Sequence, residues 1–156
     1  IAICTNAFTS KLLNYKYQIS HGRGLILAIQ PKTELKFKGT FHYHEGYFYF
    51  RNYKDKIIFG GGRNIDKKTE NTTSFEINEE IKSKLIEDLE SVIIPNVTYD
   101  ITNTWTGIMA FGDKKAPIIE KFTERIFVGA RLGGMGVAIG SQVGEALASK
   151  MIHSGF

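Results

Sequence analysis

Apolar and polar positions alternate between two periods along this chain. A four-residue period marks one helix: Ile77, Ile81, Leu85, Leu89 and Ile93 recur on one face, with Lys82, Lys84, Glu87 and Asp88 mostly on the others. The pattern predicts a helix from about Asn78 to Val92. Asn78 is its N-cap, Glu79 and Glu80 sit where the helix dipole favours negative charge, and Pro95 ends it. Aromatic and β-branched runs bounded by turn formers predict strands at 24–29, 41–43, 47–51 and 56–60, with turns at Glu45-Gly46 and 52–55. Further strands are expected at 97–110 (one long strand or a bent pair), 118–121 and 126–129. A last helix is expected from about Gly136 to His153, with Gly140, Gly144 and Ala148 on one face. Ile1–Asn6 reads as a buried strand already in progress. The layout is α+β: a mostly antiparallel sheet of five to seven strands, one packed amphipathic helix and one terminal helix.

Composition narrows the picture. The chain has 156 residues, enough for one substantial core. No run is long enough to span a membrane. A single cysteine excludes an internal disulfide and fits a cytoplasmic protein. Cys4 is read as a buried, inert thiol. The net charge of +4 is spread without a compact basic stripe, which argues against nucleic acid as partner. An RNA-binding alternative needs Lys and Arg gathered on the aromatic face of the sheet.

Three constellations could carry chemistry. The stretch from Phe127 to Ser141 is an apolar strand, a glycine cluster and a small-residue helix. Gly133, Gly134 and Gly136 either form a tight turn with no ligand, or let a flat or anionic ligand reach unpaired N–H groups. The cluster is neither a dinucleotide fingerprint nor a Walker loop. Arg51 follows Tyr47 and Tyr49 in strand alternation, so all three share a face suited to clamping a carboxylate. Arg131, just before the glycines, is a second candidate clamp. His42 and His44, two apart, share a face, but no third ligand for a metal is evident. Trp105 either walls a pocket or packs.

In order, these segments resemble the C-terminal half of FAD-dependent oxidoreductases of the D-amino acid oxidase, glycine oxidase and sarcosine oxidase type. The residues that carry the likeness span nearly the whole chain. Ile1-Ala-Ile-Cys-Thr-Asn-Ala-Phe-Thr-Ser10 resembles a family strand ending Ala-Gly-Ala-Trp-Ser, with Asn6 in the glycine position. Gly22-Arg-Gly24 resembles the Arg-Gly-Gln segment. Tyr47–Arg51 and Lys54–Gly61 resemble the hairpin that walls the substrate pocket. Trp105-Thr-Gly-Ile108 resembles Trp-x-Gly-Leu, and Phe127–Gly136 the strand and glycine turn over the flavin.

The resemblance implies FAD as cofactor and oxidation of the C–N bond of an amino acid or related amine by hydride transfer. It implies cofactor contacts at Asn6, Arg23, Gly133, Gly134, Met135, Gly136 and Val137, and substrate contacts at Tyr49, Arg51, Trp105 and Arg131. It divides the chain into the tail of the FAD domain (1–20), a substrate-binding sheet domain (21–126) and a strand, turn and helix returning to the FAD domain (127–156). The chain then reads as the back part of an enzyme, inactive alone. Its partners are a small amine or amino acid, the missing FAD domain, and a second copy through the exposed helix face. The family arginine after Trp-x-Gly-Leu is replaced by Met109 and Ala110. Either Arg51 or Arg131 takes its role, or the substrate is not a simple amino acid. A stand-alone module binding a small carboxylate or peptide is the alternative reading.

Overall fold

In the computed structural model, residues 1–14 and 17–154 are described. The chain divides into two compact units: residues 23–107, and residues 1–22 together with 108–156. The segment 108–126 thus groups by contact with the two ends of the chain.

The 23–107 unit is built on a five-stranded sheet. Its strands are β2 (Ser20–Pro31), β3 (Thr40–Tyr43), β4 (Phe48–Tyr53), β5 (Lys56–Gly61) and β6 (Tyr99–Phe111), in the order β3-β4-β5-β2-β6. Both β2 and β6 continue into the other unit. The β3-β4, β4-β5 and β5-β2 pairings are antiparallel. Register explains the core. Leu27 pairs with Phe59, Phe59 with Phe50 and Phe50 with Phe41, so one row of large side chains crosses four strands. Leu25, Ile29 and Ile57 flank that row on the same face. Helix α2 (Glu79–Asp88) covers it with Ile81 and Leu85, which are fully buried. Asn78 caps α2 as expected: its side-chain oxygen accepts from the N–H groups of Glu80 and Ile81. The helix does not run straight to Val92. Leu89–Ile93 forms a π-helical turn, which keeps Leu89 and Ile93 on the core while Val92 stays exposed.

The hairpin β4-β5 ends on glycine for a steric reason. At Gly61, φ is +119°, and a Cβ would lie 1.9 Å from the Tyr47 carbonyl oxygen. The strand 47–51 begins one residue later than expected. Tyr47 has helical backbone angles after a turn at His44–Gly46, and its ring packs against the core. It therefore does not share the Tyr49–Arg51 face. His44 has φ +48° and lies beyond β3, next to the Tyr43 and Phe48 rings, so it does not share a face with His42.

The other unit holds a three-stranded sheet in the order β1-β8-β7: β1 (Ala2–Ile3), β7 (Ile118–Lys121) and β8 (Phe127–Ala130). β8 pairs parallel with β1 and antiparallel with β7. Central position buries all four of its residues. Helix α1 (Thr9–Leu12) follows a short turn at Asn6–Phe8, and helix α3 (Gly136–Ile152) closes the unit. β1 covers only Ala2–Ile3 and is not buried, Ala2 being exposed and Ile3 half-buried, so the reading of Ile1–Asn6 as a buried strand holds only for the strand pairing of those two residues. Cys4, just past the strand end, is exposed rather than a buried core thiol. No helix among the described residues is long and apolar enough to cross a membrane.

Candidate functional site

The glycine turn is the most elaborated local structure in the 1–22 and 108–156 unit. The buried strand β8 delivers the chain to Arg131, where φ becomes +61°; Gly133 and Gly134 follow at +58° and +79°. Three hydrogen bonds fix this bend. The Leu132 N–H donates to Asn6 Oδ1 at 3.2 Å. The Gly133 N–H donates to the Ala110 carbonyl at 2.9 Å. Arg131 Nε donates to the Ala116 carbonyl at 3.1 Å. The Arg131 side chain lies over Gly112, where a Cβ would sit 2.6 Å from its Cδ.

The turn opens directly into α3. No side chain caps that helix; the Met135 N–H donates to the Leu132 carbonyl and the Ala138 N–H to the Met135 carbonyl, and the N–H groups of Gly136 and Val137 precede the first intrahelical bond. Met135 and Val137 are exposed, and a Cβ at Gly133 would meet nothing within 4 Å. The structure therefore gathers Asn6, Arg131, Gly133, Gly134, Met135, Gly136 and Val137. Within that group, the Asn6 amide and the Arg131 guanidinium are engaged in holding the backbone. α3 buries Val143 and Leu147, while side chains at Gly140 and Gly144 would project into open space.

Tyr49 and Arg51 lie on the sheet face opposite α2, since Phe48 and Phe50, which alternate with them, belong to the core side. Tyr49 is 38% exposed. Partial desolvation raises its phenol pKa, so the hydroxyl stays a neutral donor through physiological pH. Arg51 is exposed, and its Nε donates to the Asn52 carbonyl. No Asp or Glu forms an ion pair with it among the described residues. Trp105, on β6, is 43% exposed. Its neighbour Thr106 donates a hydroxyl hydrogen bond to the Phe75 carbonyl at 2.8 Å.

Arg23 stands differently. It is 3% exposed. Its guanidinium meets the buried Glu70 carboxylate in a two-pronged contact, Nε to Oε2 at 3.0 Å and Nη2 to Oε1 at 2.7 Å. Its backbone N–H donates to the Glu70 carbonyl as well. Asn78 Nδ2 donates to Glu70 and to Asp66. The network thus ties the start of β2 to the loop 63–78 and to the cap of α2. Both carboxylate oxygens accept from Arg23, which holds the guanidinium pKa above its ordinary value. Sequence reading missed Glu70, for no local signal marks a partner 47 residues away. Among the described residues, no three His, Cys, Asp or Glu side chains gather as metal ligands would.

The model of a protein family described as FAD dependent oxidoreductase matches residues 1–150. The chain belongs to that family. Solved structures agree in fold. Glycine oxidase from Bacillus cereus ATCC 14579 is 14% identical with TM-score 0.75, over 98% of this chain and 42% of that one. Iminodiacetate oxidase from Chelativorans sp. BNC1 is 15% identical with TM-score 0.76, over 98% of this chain and 42% of that one. L-proline dehydrogenase from P. horikoshii is 19% identical with TM-score 0.72, over 95% of this chain and 41% of that one. A search of curated proteins finds no match. This family member thus spans less than half the length of these structures.

The residues present fit a flavin. The turn is open at Gly133, and it leads into a helix N-terminus without a side-chain cap, which favours negative charge.

Proposed function

We propose that this chain forms the substrate-binding sheet and the flavin-covering turn of an oxidoreductase that oxidises the C–N bond of an amino acid or related amine. The observation that carries the reading is the glycine turn, held from three sides and left open at an uncapped helix. Gly133 to Val137 hold the flavin through backbone, with Asn6 and Arg131 fixing their position. FAD, when bound, accepts the hydride that leaves the substrate carbon beside the nitrogen. The protein's part is to hold that carbon still and keep water away.

Arg51 orients the substrate carboxylate through paired N–H donors, and the neutral Tyr49 hydroxyl donates beside it. Trp105 supplies apolar wall. Arg23 is spent on Glu70 and anchors the start of β2 to the loop 63–78. Glycine, iminodiacetate and proline, named for the similar structures, each place a carboxylate one carbon from the nitrogen. A clamp such as Arg51 answers that shared feature. The rest of the flavin site is assigned to the portion of the relatives that this chain does not span. The open face of α3, with Gly140 and Gly144, packs on that portion, and the chain alone turns over nothing.

Gly133→Val in the full-length gene product tests the turn. A branched side chain at φ +58° is strained and projects into the ligand space. The expected result is loss of at least nine-tenths of the bound flavin with the far-ultraviolet dichroism unchanged. Full flavin content in the variant overturns the assignment.

A further inference from the structure

The face of the sheet opposite α2 has a charge pattern that a single carboxylate clamp does not require. Strand register places His42 opposite Tyr49 and Thr40 opposite Arg51. It places Arg51 opposite Ile58, and Tyr53 opposite Lys56. His42 and Arg51 are therefore diagonal neighbours on β3 and β4, and Arg51 and Lys56 are diagonal neighbours on β4 and β5. Such neighbours stand roughly 7–8 Å apart, within reach of long side chains. Ile57 and Phe59 on β5 point into the core, so Lys56 and Ile58 face the same way as Arg51.

A diagonal of an arginine, a lysine and a histidine thus crosses three strands. The acidic residues of these elements lie elsewhere. Glu45 and Asp55 are exposed in the turns that follow β3 and β4. Asp100 on β6 is ion-paired with Lys32. Lys56 Nζ donates to Thr102 Oγ1 at 3.1 Å and keeps two further donors. Arg51 spends one of five donors on a backbone carbonyl. Positive charge with unspent donors and no carboxylate on the diagonal suits an anion with two separated charges.

We infer that the substrate is an amine carrying two carboxylates, with Arg51 taking the one beside the nitrogen and Lys56 or His42 taking the second. This rests on the reading of the Tyr49–Arg51 face as the substrate wall. It makes Lys56 and His42 specificity-determining residues and gives a role to Arg51's neighbours that the carboxylate clamp alone leaves idle.

The test is calorimetric binding of two unreactive probes to the full-length protein at low salt: glutarate, with two carboxylates, and butyrate, with one. Glutarate is expected to bind at least tenfold tighter. Lys56→Gln and, separately, His42→Gln are measured in the same way. At least one of them is expected to weaken glutarate about tenfold more than butyrate. His42 is exposed and Lys56 half-buried, and circular dichroism checks that each variant is folded. Equal affinity for the two probes overturns the inference, as does a glutarate preference that both variants retain. The flavin spectrum of the same samples separates the two readings. Flavin present without a glutarate preference sinks the dicarboxylate inference alone. A preference in a protein that takes up no flavin keeps the anion site and sinks the redox reading.

Discussion

Replacing Glu70 by Ala removes one partner of an ion pair whose side chains are 4% and 1% exposed. The Arg23 guanidinium then keeps only the Ser74 carbonyl, a long contact at 3.4 Å. The guanidinium stays buried with its paired carboxylate gone, and only the more distant Glu76 and Asp66 carboxylates still act on it. Stranding one member of such a pair costs about 3–5 kcal/mol, far more than the pair is worth against an apolar replacement. Asn78 also loses one of its two acceptors, which loosens the cap of α2. The assay is hydrogen exchange, read by mass spectrometry on peptides covering residues 63–78 and the start of β2 in the full-length protein. The opening free energy sets the exchange rate, so protection should fall by roughly two to nearly four orders of magnitude. Lys32→Ala is the control: its partner Asp100 and it are both about half exposed, and such a pair is worth about 0–1 kcal/mol. The double replacement Arg23→Met with Glu70→Leu should recover most of the loss. A Glu70→Ala effect no larger than that of Lys32→Ala refutes the claim that this pair anchors the loop.

Two other outcomes follow from the same geometry. Gly61→Ala drives a methyl to 1.9 Å from the Tyr47 carbonyl oxygen at a φ of +119°, so a cost of about 3 kcal/mol or more is expected and soluble yield of the full-length protein should collapse. Asp66 has its carboxyl pKa lowered, chiefly by hydrogen bonds from Thr69. A lowered folded-state value contributes stability that is present above the ordinary carboxylate range and is lost as pH falls through the lowered value. Protection of the 63–78 loop should therefore decline below about pH 4. Asp66→Asn should flatten that acid limb, and an unchanged acid limb in the variant contradicts the sign.

What the sequence discloses here depends on how local the cause is. Helix α2 and its Asn78 cap were legible because a four-residue apolar period and a capping side chain act within one turn. The strand at 118–121 and the glycine bend after Ala130 were legible for the same reason. The exposure of Cys4 was not, because nothing local marks β1 as ending at Ile3. Tyr47 was assigned to the Arg51 face by alternation, yet a non-glycine left-handed turn at His44 and Glu45 shifts the start of β4 by one residue. Register slips of one residue turn a side chain to the other face. Arg23 is the clearest long-range case. Its environment is made by Glu70, and only the closed fold brings the two together. The basic diagonal of His42, Arg51 and Lys56 needed the strand pairing, although alternation within each strand already set the facing of Arg51 and Lys56.

The central claim is that the bend from Arg131 to Val137 serves a flavin. The most direct test is the visible absorption spectrum of the full-length gene product, purified without added cofactor, followed by anaerobic addition of amino acids. The account predicts the two bands of an oxidised flavin in the near-ultraviolet and blue, and their bleaching by a substrate amine. A well-folded, colourless protein that also ignores added FAD would contradict it.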